Sequence, residues 1–179
     1  MRCAAGSPAY LQPILGAAIE RRRLLAAHIN WDRVWFLEHE GEMVGHLQAY
    51  MHGRGPHRLH ELDLRREFGL AGALWRRPAL TVIDRRFARF EAYICRFILR
   101  PDVRGQSLAH PMFYGWLDAV ADQIGQVHCE VWGNYRTGTR WHESFGFSRE
   151  KEHRLPFPIP GLPARQWTLL QRAVEQEKA

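Results

Sequence analysis

The sequence predicts an α/β fold, a mixed sheet with helices packed against it, and three features carry that prediction. Apolar residues recur at helical spacing from Ala109 through Met112, Phe113, Trp116, Leu117 and Val120 to Ile124. Short β-rich runs, residues 90–99 and 126–132, stand on either side of that helix. Between the first run and the helix lies a Gly-containing loop, Arg104-Gly105-Gln106-Ser107-Leu108-Ala109. A succession of strand, loop, helix and strand is how α/β layers are built.

The remaining elements follow in chain order. Leu11, Ile14, Leu15, Ala18, Ile19, Arg22 and Leu25 trace one helical stripe, with Pro13 placed to begin a helix and Asn30 to end it. Residues 34–37 and 43–51 read as strands, and Glu40-Gly41 between them signals a hairpin turn. From His52 to Arg89 the composition turns to Arg, Leu and Gly, broken at Gly53, Gly55, Pro56 and Pro78, which predicts one or two inserted helices. The strand at 90–99 stops at Arg100-Pro101-Asp102 and opens the loop. Beyond the helix at 109–124 and the strand at 126–132 come a short helix at 136–144 and a strand at 147–153. A link with Pro156, Pro158, Pro160 and Pro163 then leads to a last strand at 166–171.

A chain of 179 residues, 46% of them hydrophobic, is expected to form one domain over 1–179, with 52–89 as an insert. It contains no apolar run of membrane-spanning length, and its start lacks the layout of a secretory signal, so a cytoplasmic protein with no membrane partner is expected. Cys3, Cys95 and Cys129 are odd in number and far apart, which favours reduced thiols over a disulfide framework. The net charge of +6 rests almost wholly on arginine. Such a balance suits a phosphate-rich cofactor, nucleic acid or an acidic surface. The arginines fall in short runs on helical segments, and no recognition-helix, zinc-finger or aromatic RNA-binding signature accompanies them, so no nucleic-acid partner is expected.

The loop has the makings of an anion site. A strand that stops at a turn and then opens a helix leaves free backbone N–H groups at the positive end of the helix dipole. Gly105 permits backbone angles other residues avoid, Ser107 and Ala109 are small, and Arg104 can add a charged contact.

ILRPDVRGQSLAH, residues 98–110, resembles the cofactor motif of the GNAT superfamily of N-acetyltransferases. In that motif Arg or Gln is followed at fixed spacing by Gly, then by Gly or Ala; Arg104, Ser107 and Ala109 hold those positions, Ser107 in place of Gly. CEVWGNYRTGTRWHESFGF, residues 129–147, resembles the second motif, in which a strand leads to Asn, a short helix and a closing Gly-Phe, matched by Asn134 and Gly146-Phe147. The hairpin with Glu40-Gly41 and Gly45 is similar to the family's early strands. The resemblance implies a mixed, mostly antiparallel central sheet flanked by helices, with a helical insert between the third and fourth family strands. It also implies acetyl-CoA as acyl donor, no metal, and direct attack by an amine in a ternary complex. Phe97 and Leu99 would align the pantetheine arm through their backbone, while Arg104, Gly105, Gln106, Ser107, Leu108, Ala109 and Asn134 would complete the cofactor site.

Acyl transfer to an amine needs a proton acceptor for the amine, a polarised carbonyl and a proton donor for the leaving thiolate. Glu91, Tyr93, Cys95 and Phe97 share a strand face if the period of two holds, and Glu91 is the first candidate base, with Glu130 and His128 as alternatives. His142 stands where the family commonly has a Tyr that protonates the thiolate, and Tyr135 competes for that role. His52, His57, His60 and Glu61 lack the spacing of a zinc site. The expected acceptor is a primary amine of a small molecule. A catalytically degenerate acyl-CoA-binding module is the alternative, because Ser107 and His142 depart from the motifs. Edge strands and the Pro-rich link are compatible with a homodimer.

Overall fold

The computed structural model describes residues 12–16, 23–26, 28–57, 60–133, 136–157 and 164–174. Six strands form one sheet in the order β1-β2-β3-β4-β6-β5. They are β1 (Val34–His39), β2 (Glu42–Met51), β3 (Ala92–Leu99), β4 (Gln126–Trp132), β5 (Ser148–Arg154) and β6 (Gln166–Ala173). Every neighbouring pair is antiparallel except β3 and β4, which run parallel. The helices are α1 (Glu61–Ala88), α2 (Ala109–Val120) and α3 (Arg136–Glu143).

Local chemistry accounts for the joints. Glu40 and Gly41 both take positive φ, 54° and 78°, the conformation of a tight hairpin turn whose twist matches its strands. Gly45 serves close approach instead: a Cβ there would meet Leu99 Cδ2 at 2.6 Å and the Ile98 carbonyl at 2.8 Å.

One sheet face carries the main core, in which Leu47, Ala49, Ala92, Ile94, Val127, Cys129 and Leu170 pack under Met112, Phe113, Trp116, Leu117 and Val120 of α2. The three-and-four spacing of that helix delivers those five side chains to one face, and all five are buried. The opposite face is covered by the insert. The one or two helices expected there are two helical segments, together α1, that meet at a kink at non-helical Gly69 (φ 70°), the second running through Pro78. Leu64 and Ala73 of α1 pack on Leu15, Leu24 and Leu25, while Phe87 reaches the sheet and meets Tyr93 and Leu169. The expected first helix appears as helical turns at Gln12–Leu15 and 23–26; its middle lies outside the described residues. No described helix is long and apolar enough to cross a membrane.

Candidate active site

The parallel pair β3/β4 is joined only at Ala92↔Val127, Tyr93↔His128 and Ile94↔Cys129. Beyond these pairs the strands part, although β3 continues to Leu99 and β4 to Trp132. A β-bulge accompanies the split: Gln48 pairs with Arg96 but Ala49 pairs with Ile94, so Cys95 is the extra residue. Its thiol donates to the Gln48 carbonyl at 3.3 Å. The bulge reverses the alternation of the strand. Ala92 and Ile94 face the α2 side before it, and Phe97 and Leu99 face that side after it.

The mouth of the split is a narrow cleft lined by Ile94, Phe97, Cys129, Trp141, His142 and Phe145 among others. Trp141 sits edge-on to Phe97, with centroids 5.3 Å apart, and Phe145 packs against both. The end of α3 holds these side chains in place. Gly146 (φ 80°) donates its N–H to the Glu143 carbonyl at 2.9 Å, and Phe147 donates to the His142 carbonyl at 3.2 Å. This paired closure of a helix requires a left-handed residue at Gly146, which explains the Gly-Phe sequence. His142 is thus fixed one turn before the cap and faces the cleft.

The loop lies at the end of β3 that borders the same mouth. Arg100 bonds to Asp102 and to Glu42 at 2.7 Å, and its N–H donates to the Val44 carbonyl at 2.8 Å, so the strand exit is tied to β2. Pro101–Val103 makes one 3-10 turn with Val103 buried. Gly105 follows at φ 87°, and Ser107 also takes positive φ, 59°. The N–H groups of Gly105, Ser107, Leu108 and Ala109 meet no acceptor among the described residues. The start of α2 carries no side-chain cap at Leu108 either. Unpaired N–H groups at a helix start, with the dipole behind them, form a ready anion site. The Arg104 guanidinium folds back to the Leu99 carbonyl at 3.3 Å.

Solved structures share this fold. Naa50 from Arabidopsis thaliana, solved in complex with the bisubstrate analogue CoA-Ac-MVNAL, superposes with a TM-score of 0.53 at 11% identity, over 92% of this chain and 89% of that one. Ard1 from Thermoplasma volcanium gives 0.52 at 14% identity over 93% and 87%. An acetyltransferase of the GNAT family from Streptococcus pneumoniae gives 0.51 at 10% identity over 90% and 79%. The chain has the GNAT fold. No protein-family model and no curated protein matches the sequence.

Within the GNAT fold the expected site residues divide into three groups. Phe97, His142 and the loop from Arg104 to Ala109 gather around the split, with Leu99 at the end of β3 where the loop begins. Asn134 and Tyr135 lie outside the described residues. Glu91 lies apart from both. It precedes β3, at the end away from the loop, about 26 Å distant at the usual strand rise. The bulge at Cys95 also removes Phe97 from the face of Tyr93. The Glu91 carboxylate accepts the N–H groups of Gly125 and Gln126 at 2.7 and 3.0 Å, which anchors the start of β4.

The carboxylate at the split is Glu130, the first residue of β4 past the parallel pairing, on the face opposite the cleft. Its side chain is 3% exposed and pairs with Arg86 of the insert, while one oxygen, Oε2, has no protein partner among the described residues. Burial pushes its carboxyl up, while Arg86, a hydrogen bond from Tyr93 and the charge of Arg89 pull it down. His128 lies inside the paired stretch, packed on Phe90 at 4.4 Å and 3.4 Å from Glu150, and burial lowers its pKa. Burial also pushes the Cys95 thiol up to about 12 and raises that of Cys129, so neither is a ready nucleophile. The bulge had one trace in the sequence: in AYICRFIL, strict alternation from Ala92 and Ile94 would carry Arg96 into the core. The burial of Glu130 had none, because its partner comes from the insert.

Proposed function

We propose that this protein transfers an acetyl group from acetyl-CoA to a primary amine by direct attack in a ternary complex. The observation that carries the reading is the coincidence of three features at one place: the parting of β3 from β4, the unpaired N–H groups at the start of α2, and His142 in the cleft. The loop N–H groups would hold the pyrophosphate of the donor, with Arg104 beside them. The β3 edge past Ile94, freed from β4, would align the pantetheine arm through backbone groups near Phe97 and Leu99, and an N–H of that edge would polarise the carbonyl. His142 would donate a proton to the departing thiolate.

Glu130 takes the place of Glu91 as proton acceptor. It stands behind the split, and the amine proton would reach it through the Tyr93 hydroxyl, with Arg86 holding the carboxylate. A carboxyl raised by burial is a stronger base near neutral pH than an exposed one. The choice of a small-molecule acceptor rests on the insert, whose Phe87 covers the sheet behind the split, stacked on Tyr93 at 4.3 Å.

Calorimetry with acetyl-CoA, followed by thiol release against a panel of small amines and peptides with free N-termini, tests the proposal. Binding with thiol release on small amines supports it. Release on peptides alone would move the acceptor to polypeptide N-termini, and binding without release on any amine would favour a degenerate acyl-CoA-binding module. Absence of binding would end the proposal.

A further inference from the structure

The bulge at Cys95 turns Phe97 toward the donor cleft and, by the same step, turns Arg96 away from it. Arg96 is the only charged residue of β3, and its partner across the ladder is Gln48, a buried polar residue on the insert side of the sheet. It stands past Ile94, where β4 has already parted, with Ile98 next on the same face. A guanidinium set into a central, largely apolar strand is costly unless something answers its charge. Its field is felt along this bank. Burial, aided by the charge of Arg96, lowers the pKa of His46 and takes that of His57 to about 4, so both rings are neutral near it. His57 Nδ1 is buried and has no protein partner among the described residues.

The opposite bank presents the reverse chemistry on the same face. Glu130 is the first residue of β4 past the pairing. Arg86 engages its Oε1, while its buried Oε2 meets no protein donor among the described residues. A cation on the β3 bank and a carboxylate with an unmet oxygen on the β4 bank therefore flank the gap, behind the donor cleft.

We infer that the acceptor is a free α-amino acid that bridges the split on the insert side, its carboxylate on Arg96 and its amine toward Glu130 and Tyr93.

The inference rests on the acyl-transfer reading and narrows its acceptor. Dimensions and charge both fit. The strands are about 4.8 Å apart where they pair and separate beyond Ile94↔Cys129. In an α-amino acid the nitrogen lies about 3.5 Å from the farther carboxylate oxygen. With a hydrogen bond of about 2.8 Å at each end, the molecule spans about 9 Å, roughly twice the strand spacing. The long arginine side chain can take up the difference. A planar carboxylate matches the fork of a guanidinium, and each charge of the zwitterion meets its opposite. A peptide N-terminus would offer Arg96 only a neutral carbonyl, and a simple alkylamine would leave it unanswered.

The test compares matched acceptors on the full chain. Each common α-amino acid is offered beside its carboxamide and its decarboxylated amine, and thiol release from acetyl-CoA is followed. For at least one side chain, kcat/KM for the acid should exceed that for both derivatives by about 10–100-fold, the usual contribution of hydrogen bonds to a charged group. Arg96→Gln should erase most of that ratio through KM, and Arg96→Lys should retain part of it. The ratio is internal to each protein, so a loss of stability does not imitate it. Amides or decarboxylated amines that react as well as the acids would overturn the inference and leave acyl transfer standing. A ratio that survives Arg96→Gln would also overturn it. Binding is read separately, by calorimetry of the same amino acids with coenzyme A present. An amino acid that binds, and binds about 10–100-fold more weakly to Arg96→Gln, supports the subsite even without thiol release, an outcome that would count against acyl transfer alone. If no amino acid either binds or reacts, the inference falls.

Discussion

Replacing Ser107 with glycine should stabilise this protein, against the usual outcome of introducing glycine. Ser107 sits at φ 59°, where a Cβ crowds the following carbonyl. The left-handed conformation costs an ordinary L-residue about 1–2 kcal/mol. Glycine removes that cost but returns about 0.5–1 kcal/mol through its larger freedom in the unfolded chain. The side chain is exposed and makes no hydrogen bond among the described residues, so no packing contribution is lost. The balance is a gain of about 0.5–1 kcal/mol, or about 2 °C in melting temperature for a chain of this size. Ser107→Val, with a β-branched side chain in the same conformation, should lower the melting temperature by a larger amount. Differential scanning calorimetry of the three proteins measures both. A lower melting temperature for Ser107→Gly, or an unchanged one for Ser107→Val, would refute the strain assigned to this loop.

Three further outcomes are expected. Glu91→Gln weakens two bonds to backbone N–H groups at the start of β4, costing about 1 kcal/mol in a denaturation midpoint, but leaves any thiol-release rate unchanged; a large loss of rate would return Glu91 to the chemistry. Gly146→Ala should cost about 1 kcal/mol through backbone angle alone, since its Cβ would lie 3.6 Å from Arg172 Nε without a clash. A loss of several kcal/mol would mean that the cap does more than close α3. Burial lowers the His57 pKa to about 4, helped by the charge of Arg96. Between pH 6.5 and about 4 the unfolded chain therefore binds a proton that the folded chain refuses, and stability falls as the pH falls, by at most about 3 kcal/mol. Urea denaturation across this range should show the decline flattened in His57→Gln; an identical slope in both proteins would contradict it.

What the sequence disclosed and what it hid divide along the range of the interactions. The helix bearing Met112, Phe113, Trp116, Leu117 and Val120 was legible because its period places five apolar residues on one side, and Glu40-Gly41 because a tight turn depends on its own two residues. The loop from Arg104 to Ala109 was legible as a strand-to-helix turn with unpaired N–H groups because that feature belongs to the backbone. Glu91 was set on one face with Phe97 because alternation along β3 was carried through Cys95, where the bulge shifts the register against β2. A bulge is set by the fit of two strands distant in sequence, and only the polar Arg96 at a core parity betrayed it. Glu130 was an alternative whose distinction depends on Arg86, a partner 44 residues away on the insert. Burial of that kind is decided by packing and leaves no local pattern.

In the proposed reading the backbone N–H groups at the start of α2 hold the phosphates of coenzyme A beside the split between β3 and β4. A titration of isotopically labelled protein with coenzyme A, followed through its amide resonances, tests this most directly. Saturable downfield shifts at Gly105, Ser107, Leu108 and Ala109, accompanied by changes at Phe97 and His142, are the predicted result. Binding that leaves those four amides unmoved, or no binding at all, would contradict it.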